Sequence, residues 1–118
     1  MQYILMAYTS ESLWPALAPA EKEQRFAAAY GAFVEALQKA GVVRGLNRLR
    51  PTSEAATVRV SDGKQQVLDG PYADSKEQLG GYFLIDVPDL DAAISWAARC
   101  PAAEHGSVEV RPVWVMQP

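Results

Sequence analysis

His105 is the single histidine and Cys100 the single cysteine of this chain. Proton transfer by an imidazole and attack by a thiolate therefore have one candidate each. His105 follows PAAE and precedes GSVEV, where a helical stretch hands over to a strand. An imidazole there can give or take a proton near neutral pH if a carboxylate orients it; the competing account is a solvated loop residue. A further group of polar side chains lies in VLDGPYADSKEQLGGYFLIDVPDLDAA, from Val67 to Ala93, where Asp69, Asp74, Lys76 and Glu77 crowd one loop. As a site, this segment is a charged rim for a small polar ligand, with Asp69 and His105 as the catalytic pair and Lys76, Glu77 and Tyr72 contacting substrate. As a turn, Asp69-Gly70-Pro71 reverses the chain, Asp74 or Ser75 caps a helical turn over SKEQL, and Gly80-Gly81 lets the chain re-enter a sheet. The segment is longer than a connection between neighbouring strands requires, which favours the site.

Other chemistries find little support. Cys100 has no base beside it and reads as a small buried hydrophobe. A lone histidine without partner cysteines, among carboxylates that show no ligand spacing, does not make a metal site, and neither metal nor cofactor is expected. The glycines form no dinucleotide or phosphate-binding loop, and no serine sits in a nucleophile elbow. Glu109 and Arg111 fall on one side of a strand and are expected to pair with each other or across strands.

The chain as a whole limits what these residues can do. At 118 residues and 12.9 kDa it has room for one domain, residues 1–118, with a modest core. With 49% hydrophobic and 21% charged residues it is an ordinary folding chain. Eleven basic residues scattered among fourteen acidic ones, for a net charge of −3, leave no basic stripe, so direct nucleic-acid binding is disfavoured. The opening MQYILMAYTSES is too short an apolar run to span a membrane and lacks the flanks of a signal peptide. A soluble, cytoplasmic protein is expected.

The positioning elements follow from periodicity. QYILMAY is a strand without polar alternation, as in a sheet covered on both faces. PAEKEQRFAAAYGAFVEALQKAG, from Pro19, is an amphipathic helix that turns Phe26, Tyr30, Phe33 and Leu37 to the core and stops at Gly41. VVRGLNRLR is a strand bent or bulged at Gly45. ATVRV and QQVLD flank Asp62-Gly63 and make a hairpin from Ala56 to Asp69 whose strands join the main sheet or its edge. GYFLIDV is a strand, and Asp89 caps a helix buried along Leu90, Ala93, Ile94 and Ala97 and ended by Pro101. SVEVRPVWV is a last strand, with Pro112 where no ladder N–H is needed.

Two βαβ units with a hairpin between them make an α+β fold, a ferredoxin-like sandwich with both helices on one face of the sheet. The strands QYILMAY and GYFLIDV are apolar on both sides, with Tyr3, Leu5, Tyr82 and Leu84 taken as one set and Ile4, Met6, Phe83 and Ile85 as the other. A second copy packed sheet to sheet is the simplest cover, so a homodimer is expected.

DGPY at Asp69 to Tyr72, the following ADSKEQLGGYFLIDVPDLDAAISWAARCP, HGSVEVRPV from His105 to Val113 and PTSEAATVRV together resemble the YCII-related family, in its branch named for a DGPF motif. The resemblance spans almost the whole chain; Tyr72 stands where the branch has phenylalanine. It implies a ferredoxin-like domain assembled as a dimeric α/β barrel, frequently encoded beside extracytoplasmic-function sigma factors and without a settled activity. Two functions follow as alternatives. One is a domain that binds or acts on a small polar molecule near the DGPY loop; the other is a non-enzymatic accessory module in a sigma-factor circuit. An enclosed pocket lined by the polar residues above would favour the first.

Overall fold

The computed structural model describes residues 1–12 and 19–116. In chain order the elements are β1 (Gln2–Thr9), α1 (Pro19–Ala40), β2 (Val43–Arg48), a 3-10 turn (Thr52–Glu54), β3 (Ala56–Ser61), β4 (Lys64–Asp69), β5 (Gln78–Asp86), α2 (Leu90–Arg99), α3 (Ala102–His105) and β6 (Ser107–Pro112). Four strands form an antiparallel sheet in the order β2-β5-β1-β6, with β1 and β5 at its centre. This is the strand order of a ferredoxin-like fold, α+β as expected, with the hairpin inserted between β2 and β5.

Register decides which side chains share a face. Tyr3 lies opposite Ile85 and Leu5 opposite Phe83, and all four are buried, with Ala7, against the helices. Ile4 faces Leu84 and Met6 faces Tyr82, and these four are half-buried on the opposite, helix-free face. The expected sets are thus exchanged in β5: Phe83 and Ile85 belong with Tyr3 and Leu5. Each strand's alternation was legible, but antiparallel pairing sets which phase of one matches which phase of the other.

On α1 the burial grades along the helix. Phe33 and Leu37 are buried, whereas Phe26 and Tyr30 are only half-buried. Gly41 ends the helix in the left-handed region at φ 69° and donates its N–H to the Gln38 carbonyl. On α2 the Asp89 carboxylate accepts from the Ala92 N–H at 2.9 Å, as a cap should. Its buried stripe is Ala93, Ala97 and, just past its end, Cys100, with Trp96 packed alongside. Leu90 and Ile94, expected inside, are 47% and 49% exposed. The small alanines let the helix lie close to the sheet, and that rotates the larger residues outward.

Strand details differ at the ends. The pairing of β2 with β5 shifts between Val43 and Gly45, the irregularity expected at Gly45. No helical turn forms over SKEQL: the Ser75 hydroxyl donates instead to the Glu77 carbonyl, and β5 is already extended from Gln78. β6 ends at Pro112, short of the expected Val115, and lies on the sheet edge, where proline is tolerated. Asp62 and Gly63, at φ 51° and 75°, close the β3–β4 hairpin. That hairpin does not join the main sheet; it is a two-stranded sheet of its own.

Candidate functional site

Where the N-terminal half of α1 stands away from the sheet, a cleft opens beneath it. Its depth, about 110 Å³, is walled by Phe26, Tyr30 and Val34 of α1 and by Ala7, Leu46 and Phe83 of the sheet. The aromatic wall is ordered: Phe26 stacks on Tyr30 with centroids 4.5 Å apart, and Tyr30 lies 6.3 Å from Phe83. Gly80 and Gly81 supply the floor. The pairing of β1 with β5 slips here, Ala7 facing Gly81 and Tyr8 facing Leu79, so Gly80 is the bulged residue and adds no side chain to the hollow.

The depth opens through Thr9, Phe26, Tyr30, Arg48 and Gly80, common to both parts, into a wider polar mouth. Lys22, Arg48 and Arg50 stand there with Glu11, Glu23 and Glu54. The Arg48 guanidinium lies 3.8 Å from the centre of the Phe26 ring and donates to Glu23 at 2.7 Å. That hydrogen bond, and then the arginine's charge, hold the Glu23 carboxyl below its ordinary value of 4.5. Arg50 donates to Glu54 at 2.8 Å, and Glu11 accepts from both the N–H and the hydroxyl of Thr52. Cations and carboxylates balance around the mouth, so it is not an anion trap. Burial, with the Cys100 thiol nearby, pushes the Tyr30 phenol up to about 12, and it stays a neutral hydrogen-bond donor at physiological pH.

Of the residues singled out in the sequence, His105 is the one that lines this mouth, beside Pro101 and Ala102. It closes α3, a single helical turn, rather than sitting in an open loop. Glu77, just before β5, reaches toward the same corner: it accepts from the Ser107 hydroxyl at 3.3 Å, and a Cβ on Gly106 would meet its carboxylate at 2.6 Å and collide with the Tyr8 carbonyl. Only glycine lets these strands meet so closely beside His105. Gln78, next in the chain, accepts from the Glu11 N–H at 2.9 Å and ties the end of the charged segment to β1.

Asp69, Tyr72, Lys76 and Glu77 line neither part of the cleft. Asp69 ends β4 at the foot of the hairpin, where the Gly70 N–H bonds to the Ala55 carbonyl at 2.7 Å. Tyr72 is 76% exposed, with the Arg59 guanidinium 5.3 Å from its ring centre, and Lys76 is exposed. Glu109 and Arg111 form the expected ion pair with each other. Cys100 is free and buried, its thiol pushed up by burial. No group of three or more His, Cys, Asp or Glu residues among the described residues is arranged to hold a metal, and no described helix is long and apolar enough to cross a membrane.

Lys22, Glu23, Arg48 and Arg50 are not legible in the sequence as site residues, Gly80 reads there only as a point of re-entry into the sheet, and the spacing of Phe26 and Tyr30 assigns them to the core. The one local signal was Arg48 and Arg50 in alternation at the end of β2. Their meeting with α1 is a product of packing.

Fold and cleft together define a small ferredoxin-like domain with a hollow between its first helix and its sheet. The chain belongs to the YCII-related domain family, which matches residues 1–117. It is 38% identical over 120 residues to an uncharacterized protein of Rhizobium meliloti (strain 1021), covering 100% of this chain and 96% of that protein. Among solved structures it is similar to 5-chloro-2-hydroxyhydroquinone dehydrochlorinase from Burkholderia phenoliruptrix AC1100, in complex with 2,5-dihydroxybenzoquinone. The TM-score is 0.53 at 14% identity, over 97% of this chain and 94% of that one, a likeness of fold.

Proposed function

We propose that this protein binds and acts on a small hydroxylated ring compound in the cleft between α1 and the sheet, working as a cytoplasmic homodimer. The observation that carries this is one continuous hollow, aromatic at depth and charge-balanced at the mouth. An apolar wall with a few convergent polar groups is what orients a small ligand. The balance of charge suits a neutral or weakly acidic compound better than a strong anion. The dehydrochlorinase of similar fold is named for a hydroxylated ring and holds another.

In this scheme Phe26, Tyr30 and Phe83 hold the ring, and Arg48 faces its oxygens. His105 carries the proton at the mouth. Within one chain Asp69, Tyr72, Lys76 and Glu77 line neither part of the cleft, so in this scheme they reach the ligand, and Asp69 reaches His105, only from the second subunit of the dimer. A second function, an accessory module in a sigma-factor circuit, draws support from the projecting β3–β4 hairpin, most of whose residues are exposed.

Gly80→Val tests the cleft. A Cβ at Gly80 meets nothing nearer than the Ala7 carbonyl at 3.9 Å, so the strand should accept the side chain while the hollow fills. Calorimetric titration with dihydroxybenzenes, hydroxybenzoquinones and ring-free polyols should show ring compounds binding to the wild type and weakening by about tenfold or more in the variant. Binding equal in both proteins, or no ring compound bound by either, would overturn the cleft as the site.

A further inference from the structure

The chain exposes 8345 Å², whereas a compact monomer of 12.9 kDa exposes roughly 6,300 Å². Its radius of gyration is 16.3 Å, against about 13.5 Å for a compact domain of this length. The excess, roughly 2,000 Å², is more than the ~800 Å² that each partner gives to an interface of standard size. One identifiable source is the β3–β4 hairpin, which stands apart from the four-stranded sheet as a ribbon of its own.

The ribbon has two unlike faces. Val58 lies opposite Val67 and Val60 opposite Gln65, so the three valines share one face, and they are 59%, 53% and 71% exposed. Thr57 opposite Leu68, Arg59 opposite Gln66 and Ser61 opposite Lys64 fall on the other face, which is polar but for Leu68. Alternation of this kind is what a strand shows when one side is covered and the other meets water. Two-stranded ribbons are marginal on their own and need such a cover. The one charge on the valine face, Asp69 opposite Ala56, lies at its foot, so the valines beyond it are left to meet an apolar surface. Among the described residues, the sheet face bearing Ile4, Met6 and Leu84 is an apolar surface of this kind with no helix over it.

We infer that the β3–β4 ribbon is an arm whose Val58, Val60 and Val67 face packs against a second copy of this chain. The arm extends the contact beyond the sheet face and accounts for surface that a single chain leaves bare. The inference rests on the homodimer proposed above, and the test separates the two. Sedimentation equilibrium across a dilution series would compare the wild type with Val58→Lys/Val60→Lys and with Gln66→Lys on the opposite face. All three sites are exposed in the single chain, and circular dichroism would verify that each variant keeps the fold.

The expected result is a wild-type dimer, a valine-face variant that dissociates at a concentration about tenfold higher or more, and a Gln66→Lys protein like the wild type. A wild-type dimer whose dissociation is unchanged by the two lysines would overturn the arm while leaving the sheet-to-sheet dimer standing, and would free the arm for a different protein. A wild type that is monomeric throughout would overturn both.

Discussion

Arg48 stands at the junction of the cleft's two parts, its guanidinium stacked on Phe26 and bonded to Glu23. Stacking and a single 2.7 Å hydrogen bond fix the direction in which its remaining donors point. Because the pair lowers the Glu23 pKa in the folded state, its stabilising effect is fully present above the ordinary glutamate value of 4.5 and is lost as pH falls through the lowered folded value. Glu23→Gln should therefore unfold at a lower temperature than the wild type at neutral pH, with the gap closing in acid. Melting curves across that range check it; a gap independent of pH would mean that Glu23 acts without its charge. Nothing in the sequence around Glu23 or Arg48 announced this pair, since α1 and β2 bring together residues 25 positions apart.

Among the elements, α2 shows how local rules and packing divide the work. Its start is set by Asp89, whose side chain takes up an orphan N–H of the first turn. Asp89→Ala should cost about 1 kcal/mol, the usual loss for such a cap, and chemical denaturation would measure it; an unchanged midpoint would show that packing alone holds the helix end. The buried stripe, by contrast, could not be settled from spacing. Leu90 and Ile94 keep the same helical period as Ala93 and Ala97, and only the distance to the sheet selects the smaller pair for burial. The hairpin divides in the same way: Asp62-Gly63 dictates the turn locally, while whether the ribbon adds to the sheet or stands apart depends on what lies at the sheet's edge.

For the molecule as a whole, one layer of helices covers one face of the sheet, and the shortest principal extent is 18 Å. The helix-free face carries Ile4, Met6, Tyr82 and Leu84 at the two central strands. A charge placed there should leave the helix-side core intact and oppose sheet-to-sheet packing. On the proposed dimer, Leu84→Glu is expected to fold and to sediment as a monomer across a dilution series in which the wild type associates. If the variant stays dimeric, the sheet face is not the interface.

Sequence alone determined what short-range physics controls: the strand and helix order, the Gly41 stop, the Asp62-Gly63 turn, the Asp89 cap, the Gly45 irregularity and the family. Each depends on residues a few positions apart. It also singled out His105, which the structure places at the cleft mouth. The tertiary structure alone decided the register that pairs Tyr3 with Ile85, the side of α2 that is buried, and the separation of the hairpin from the sheet. It decided the site as well. The cleft lies where Phe26 and Tyr30 from one helix, Arg48 from an edge strand and the side-chain-free Gly80 of a central strand converge, and such a convergence exists only when the sheet is assembled.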